Sequence, residues 1–217
     1  GGGGWGGGGR GGGGGVGGGG GRGPGGGAGP GGRPPASPFG LGRGNRTGAT
    51  PVTRDGGDAM RSYDIRRADA PVPLGGIVEG TPWARASALE IDQFPWHTSG
   101  AKQATTARLL WDAAALYVQF VCEDRHIFAQ VTDVNGPVCN DSCVELFAMP
   151  QPDRQQNYFN LELNCCGVFL LGWGPGRAGR RRVAPELAER LQVATSVPGP
   201  TKAESPDDAG WWAAAAL

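Results

Sequence analysis

One short run of polar and aromatic residues carries the clearest potential for chemistry in this 217-residue sequence. Polar and apolar side chains alternate in the segment Tyr158–Asn164, and Glu145 lies in a similar segment upstream. Carboxylates and amides hydrogen-bond hydroxyl groups, while aromatic rings stack on the C–H faces of a sugar ring. The pattern therefore suits a hydroxyl-rich ligand. The alternative is a solvated sheet face, which antiparallel sheets commonly have.

The candidate ligand-binding residues share a position on the polar side of predicted strands. They are Tyr117, Gln119, Glu145, Tyr158, Asn160, Glu162 and Asn164. Trp111 and Trp173 lie next to turns and are the candidates for stacking, whereas Trp83 and Trp96 are expected to be core anchors. Because side chains alternate across a strand, the polar groups converge on one surface if their strands are neighbours in one sheet.

Other chemistries remain open for the carboxylates and the cysteines of the sequence. Glu145 and Glu162 could form the acid and nucleophile of a glycosidase, although no third group supports this and a binding role is favoured. Oxygen ligands for calcium could come from Glu123, Asp124 and Asp141, without the spacing of an EF-hand. The five cysteines form neither the C-x-x-C pairs of a strong zinc signature nor an even-numbered disulfide framework.

The elements that would position these residues are short strands separated by turns. Strands are predicted at Ala107–Trp111, Leu116–Glu123, Ser142–Met149, Tyr158–Asn164, Val168–Trp173 and Leu191–Ser196, with a helical turn at Pro185–Arg190 and another strand beginning at Trp211. This arrangement predicts an all-β fold, an antiparallel β-sandwich of jelly-roll type.

Composition divides the chain into two parts. Residues 1–59 contain most of the 43 glycines with few bulky apolar side chains, which predicts a disordered low-complexity tail before a domain at residues 60–217. Six arginines precede the first acidic residue, Asp55, so the tail is basic. It could associate with RNA, but its arginines are sparse and its aromatics few, so a nucleic-acid partner is not expected.

Charge and hydropathy favour no particular compartment. Lys plus Arg and Asp plus Glu balance at 20 each, and neither a bilayer-spanning apolar run nor a secretion signal is visible, so no membrane partner is expected. The first methionine is Met60. A product that begins there is expected to be cytoplasmic, and one that has a missing leader to be extracellular.

Four motifs follow one another in a fixed order. They are Gly75-Gly76 with Trp83 and Leu89-x-Ile91-x-x-Phe94-x-Trp96, then Arg108-Leu-Leu-Trp-Asp112 with Leu116-Tyr-Val-x-Phe120, then Asn140-Asp-Ser-Cys-Val-Glu-Leu-Phe147, and finally Tyr158–Asn164 with Gly167. This ordered set resembles family 9 carbohydrate-binding modules between Tyr63 and Trp212. The resemblance implies a β-sandwich that binds mono- or oligosaccharides without catalysis and contributes to carbohydrate catabolism. It also implies frequent attachment to glycoside hydrolases and, often, structural calcium.

The chain departs from that pattern at two places. Cys139 stands where relatives often carry an aromatic residue, which puts one stacking or packing position in doubt. Relatives usually continue past the Trp-containing strand, whereas here Trp212 is followed by four alanines and Leu217. The domain is therefore expected to be incomplete at its C-terminus, with an exposed sheet edge.

Overall fold

The protein folds into two β-sheets, as seen in a computed structural model that describes residues 61–95, 97–201, 203 and 205–217. The strands are β1 (Arg66–Arg67), β2 (Leu89–Glu90), β3 (Thr105–Trp111), β4 (Leu116–Cys122), β5 (Cys143–Ala148), β6 (Tyr158–Asn164), β7 (Phe169–Gly174), β8 (Arg181–Arg182), β9 (Gln192–Thr195) and β10 (Trp211–Ala216). Short 3-10 helices span Pro82–Arg85 and Val138–Asn140, and one α-helical turn, α1, spans Pro185–Ala188. The all-β prediction is confirmed.

The first sheet has the order β1-β3-β4-β10-β9, with β2 paired to β3. Its pairs are antiparallel apart from β1 with β3. The last strand, β10, lies inside this sheet between β4 and β9. Its four alanines, Ala213–Ala216, are buried there, because small side chains suit a strand covered on both faces.

The second sheet has the order β5-β6-β7-β8 and is antiparallel throughout. β6 and β7 form a hairpin whose turn contains Cys165, Cys166 and Gly167. Gly167 has φ +86°, a conformation that favours glycine. A long connection from residue 123 to 142 carries the chain from the first sheet to the second.

The main core lies between the two sheets. It joins Val118 and Phe120 of β4 to Leu161 and Leu163 of β6 and Phe169 of β7. The residues of β4 and β6 alternate with polar ones such as Gln119 and Glu162, which is why the pattern of these strands could be predicted from the sequence. Each sheet therefore turns a second face outward, called here its outer face.

The outer face of the first sheet is not open to solvent. The segment of residues 61–86 runs across it and buries Trp83 completely against Leu110 and Tyr117. The Trp83 indole donates a hydrogen bond to the Pro73 carbonyl at 2.8 Å. Trp83 is thus a core anchor, as predicted; Trp96 and the predicted tail at 1–59 lie outside the described residues.

Among the helices of the described residues, none has the length and apolar character needed to cross a membrane.

Candidate functional site

The outer face of the second sheet brings the two candidate carboxylates together. β5 and β6 pair so that Glu145 and Glu162 are direct Cα partners. Side chains opposite each other in an antiparallel pair have Cβ atoms about 4.5–5.5 Å apart and point to the same side. The expectation that these two residues share one surface is confirmed.

The electrostatics of this pair reflect its crowding. Burial first, and then the charge of Glu162, raises the pKa of Glu145 above its usual range, while Arg180 and Arg177 act in the opposite direction. Within the described residues neither arginine forms an ion pair with these carboxylates. No direct cationic contact from the described residues therefore offsets the charge of this pair.

Asn160 lies beside the carboxylates and is fully buried. Its side-chain amide donates a hydrogen bond to Glu162 Oε1 at 3.1 Å, which fixes the orientation of both groups. Its Oδ1 atom has no hydrogen-bond partner among the described residues. A buried acceptor without a donor costs about 1–3 kcal/mol, so a donor supplied by a ligand would be favourable here.

An aromatic pair continues the same face. Phe147 is the cross-strand partner of Asn160, and its ring centroid lies 5.9 Å from that of Tyr158 at an interplanar angle of 34°. The Arg180 guanidinium lies over both rings, 5.9 Å from the Phe147 centroid and 5.7 Å from the Tyr158 centroid. The Phe147 ring is 51% exposed, so the aromatic end of the face is open to solvent.

Two glycines of β7 let Arg180 reach this position. A Cβ atom at Gly172 would lie 2.9 Å from the Arg180 side chain, and one at Gly174 would lie 2.6 Å from the Gly179 carbonyl oxygen. The loop of residues 175–180 therefore packs down on the outer face only because these positions lack side chains. Gly172 is also the partner of Asn160, so Arg180 covers the region next to the unpaired Oδ1 atom.

Sequence reasoning missed Phe147 and Arg180. The signal for Phe147 was present, because it stands two residues after Glu145 in the same alternating strand and so shares its face. Arg180 lies in a Gly- and Arg-rich loop whose path cannot be read from periodicity.

Asn164 has a structural role at the end of the same face. Its amide nitrogen donates to the Asp141 carboxylate at 2.9 Å and to the Val131 carbonyl at 3.2 Å. Its Oδ1 accepts from the backbone N–H groups of Cys166 at 3.2 Å and Val168 at 2.8 Å. Because the amide is fully used in closing the β6–β7 turn, the geometry leaves Asn164 no free group for a ligand.

The expectation that Tyr117 and Gln119 converge with the carboxylates is wrong, because β4 belongs to the first sheet. Tyr117 donates its hydroxyl hydrogen to Asp112 at 2.9 Å. Gln119 is buried beneath the segment of residues 61–86 and donates to the Gly75 carbonyl at 2.7 Å. Gln119 thus ties that segment to the first sheet by a hydrogen bond, and Tyr117 packs against the cluster around Trp83.

The two predicted stacking residues lie away from the outer face of the second sheet. Trp111 ends β3 in the first sheet, where its indole donates to the Ile65 carbonyl at 3.1 Å and Arg67 lies over its ring at 5.7 Å. Trp173 lies in β7 opposite Phe159, and alternation places it on the side opposite to Gly172. Both rings are partly exposed, so their role in stacking stays a prediction, separate from the carboxylate pair.

The calcium candidates are engaged by the protein itself. Asp124 accepts hydrogen bonds from the His126 backbone at 2.8 Å, the Ser142 hydroxyl at 2.8 Å and the Trp211 indole at 3.1 Å. Asp141 accepts from the backbone N–H groups of Gln130 and Val131 as well as from Asn164, and Glu123 is exposed.

These contacts do not fit a calcium site. The donors occupy the lone pairs of Asp124 and Asp141 that a cation would need. In the part of the chain that the structure describes, no three His, Cys, Asp or Glu side chains form a group able to hold a metal ion. The geometry instead supports these carboxylates as ties between the connection at 123–142 and the two sheets.

Comparison with known proteins places this geometry in a family. No curated protein matches the chain. A candidate carbohydrate-binding protein from Bacteroides uniformis superposes with a TM-score of 0.61 and 19% identity, covering 72% of this chain and 71% of the other, and so shares the fold. A family 9 carbohydrate-binding module from Caldicellulosiruptor kristjanssonii, solved with cellotriose, gives a TM-score of 0.44, 18% identity and coverages of 70% and 67%. The model of carbohydrate-binding family 9 matches residues 81–217, so the chain belongs to that family.

Proposed function

We propose that the chain binds a mono- or oligosaccharide without catalysis on the outer face of the second sheet. One observation carries the proposal: the Glu145–Glu162 pair and the unpaired Oδ1 of Asn160 lie beside the rings of Phe147 and Tyr158. Carboxylate and amide oxygens accept hydrogen bonds from sugar hydroxyls, and an aromatic ring packs against the apolar side of a pyranose. Membership of a carbohydrate-binding family supports the same function.

Arg180 covers part of this surface. Its side chain lies over both rings and over Gly172, next to Asn160. Because no described carboxylate forms an ion pair with the half-buried Arg180 side chain, we expect the sugar to displace it from the rings and to approach Asn160 from that side. A role in carbohydrate catabolism would follow if the bound sugar belongs to a polysaccharide that an associated enzyme degrades.

The test is binding of the full chain to an array of neutral and charged sugars, followed by calorimetry with the tightest binder. The Glu162→Gln variant removes one charge at nearly constant shape and should weaken binding by roughly 10-fold or more, because hydrogen bonds to a charged group contribute about 1.5–3 kcal/mol. Tyr117→Phe is the matched control on the other sheet and should bind normally. Absence of binding to every sugar would refute the proposal.

A glycosidase is the second candidate, because retaining enzymes hold two carboxyl groups only about 5–5.5 Å apart and the acid has a raised pKa. The direct pairing of Glu145 with Glu162 and the raised pKa of Glu145 favour it. The test is an assay with aryl glycosides. If the natural chain hydrolyses them and Glu145→Gln does not, the chain is a glycosidase and the proposal of non-catalytic binding is refuted. RNA association through residues 1–59 is a third possibility, and it would require weaker RNA binding once that segment is removed.

A further inference from the structure

The candidate site is rich in hydrogen-bond acceptors. Glu145 and Glu162 supply carboxylate oxygens, and Asn160 adds a fully buried Oδ1 atom that no described residue satisfies. The Asn160 amide nitrogen already donates to Glu162. A ligand that fits these groups must therefore bring more donors than acceptors.

The site also tolerates positive charge. Arg180 lies over the Phe147 and Tyr158 rings without an ion pair to either carboxylate, so the protein's own cation occupies the aromatic end. Arg177 of the same loop is the other positive group that acts on Glu145. A ligand cation that displaces the Arg180 side chain would keep the charge over the rings and would add direct contact with the carboxylates.

We infer that the site selects amino sugars, with the ligand's ammonium group between Glu145 and Glu162 and its ring against Phe147. This inference rests on the proposed function and specifies its ligand class. An ammonium group offers three donors and no acceptor, which complements the set on the outer face. Its hydrogen bonds to carboxylates are about twice as strong as those between neutral groups.

The experiment is calorimetric titration of the full chain at about pH 7, where most amines of this type are protonated. The probes are glucose, glucosamine, N-acetylglucosamine and glucuronate, and the corresponding galactose series. In the series that binds, the amino sugar should bind about 10-fold more tightly than the neutral parent. N-acetylation should abolish this preference by removing the charge, and added salt should reduce it.

Two variants locate the effect. Glu145→Gln should bring the affinity ratio of amino sugar to parent close to one, whatever happens to the parent's own affinity. Glu79→Gln removes the same charge from an exposed residue in the segment over the first sheet and should leave the ratio unchanged. Circular dichroism of each variant confirms that the fold is retained.

The possible failures are distinguishable. If neutral sugars bind and the amino sugar binds equally or more weakly, or if glucuronate binds most tightly, the inference is overturned and the proposed function stands. If no sugar of either series or of the wider array binds, the proposed function fails and the inference fails with it.

Discussion

The two sheets carry the same short pattern on their outer faces, a tyrosine followed two positions later by an amide. In the first sheet these are Tyr117 and Gln119, and in the second Tyr158 and Asn160. Each amide donates through its nitrogen and leaves its oxygen without a described partner. The difference lies in how much of each face is covered: a whole segment containing Trp83 seals the first, whereas the loop of residues 175–180, with Arg180, lies over part of the second.

This contrast shows that the alternation of side chains along a strand predicts which residues share a face. It does not predict which part of the chain packs on that face. A polar and aromatic face becomes structural when another part of the chain seals it, and it becomes a candidate site when the cover leaves part of the face exposed, as at Glu145 and Phe147. Substitutions should separate the two faces, first by stability and then by binding.

Trp83→Ala should have the largest effect. The side chain is fully buried and holds the segment of residues 61–86 on the first sheet. Removal of a buried tryptophan typically costs about 3–5 kcal/mol. Urea unfolding should show this loss, and an unchanged midpoint would mean that the segment does not stabilise the first sheet.

Phe147→Ala is the counterpart on the second sheet. Since the ring is half exposed, the free energy of unfolding should fall by less than about 1 kcal/mol. Sugar affinity should fall by roughly 3- to 10-fold, because a stacking contact contributes about 0.5–1.5 kcal/mol. Trp111→Ala controls for the loss of an exposed ring elsewhere; if that variant loses affinity and Phe147→Ala does not, stacking takes place at Trp111.

The smallest effect is expected for the stability of Glu145→Gln. The pKa of Glu145 is raised by burial and by Glu162, so the folded protein holds this proton more tightly than the unfolded chain does. The resulting stabilisation is present below the usual glutamate range and is lost as the pH rises through the raised pKa. At neutral pH the variant should therefore melt slightly higher than the natural protein.

Thermal melts of the natural protein and of Glu145→Gln across a pH series test this expected difference in melting temperature. The two melting temperatures should converge as the pH falls, and Glu79→Gln should track the natural protein throughout. A Glu145→Gln variant that melts lower at neutral pH would show that the carboxylate pair is not mutually repulsive.

Much of the fold could be predicted from the sequence. β6 was predicted with its observed limits, and β4 to within one residue, because each alternates apolar side chains for the main core with polar ones. The two-residue strands β1 and β8 were not predicted, since so short a pairing leaves no periodicity. Sheet membership also escaped prediction, because the long connection before β5 does not reveal that the chain crosses to the other sheet.

Part of the candidate site could also be predicted from the alternation of side chains along the strands. Glu145, Asn160 and Glu162 belong to neighbouring strands, so alternation alone brings them together. The position of Tyr117 was predicted wrongly, because β4 has the same alternation of polar and apolar residues as β6 but belongs to the first sheet. The position of Arg180 depends on the packing of the loop of residues 175–180 against two glycines of β7. No local sequence pattern indicates this tertiary contact.

The most direct test of the central claim is a heteronuclear NMR titration of the full chain with the sugar bound most tightly in the array. The side-chain amide signals of Asn160 and Gln119 report on the two outer faces separately. We expect a shift of the Asn160 signal together with the backbone signals of β5 and β6, while the Gln119 signal stays in place. A shift at Gln119 with none at Asn160 would contradict a sugar site on the second sheet.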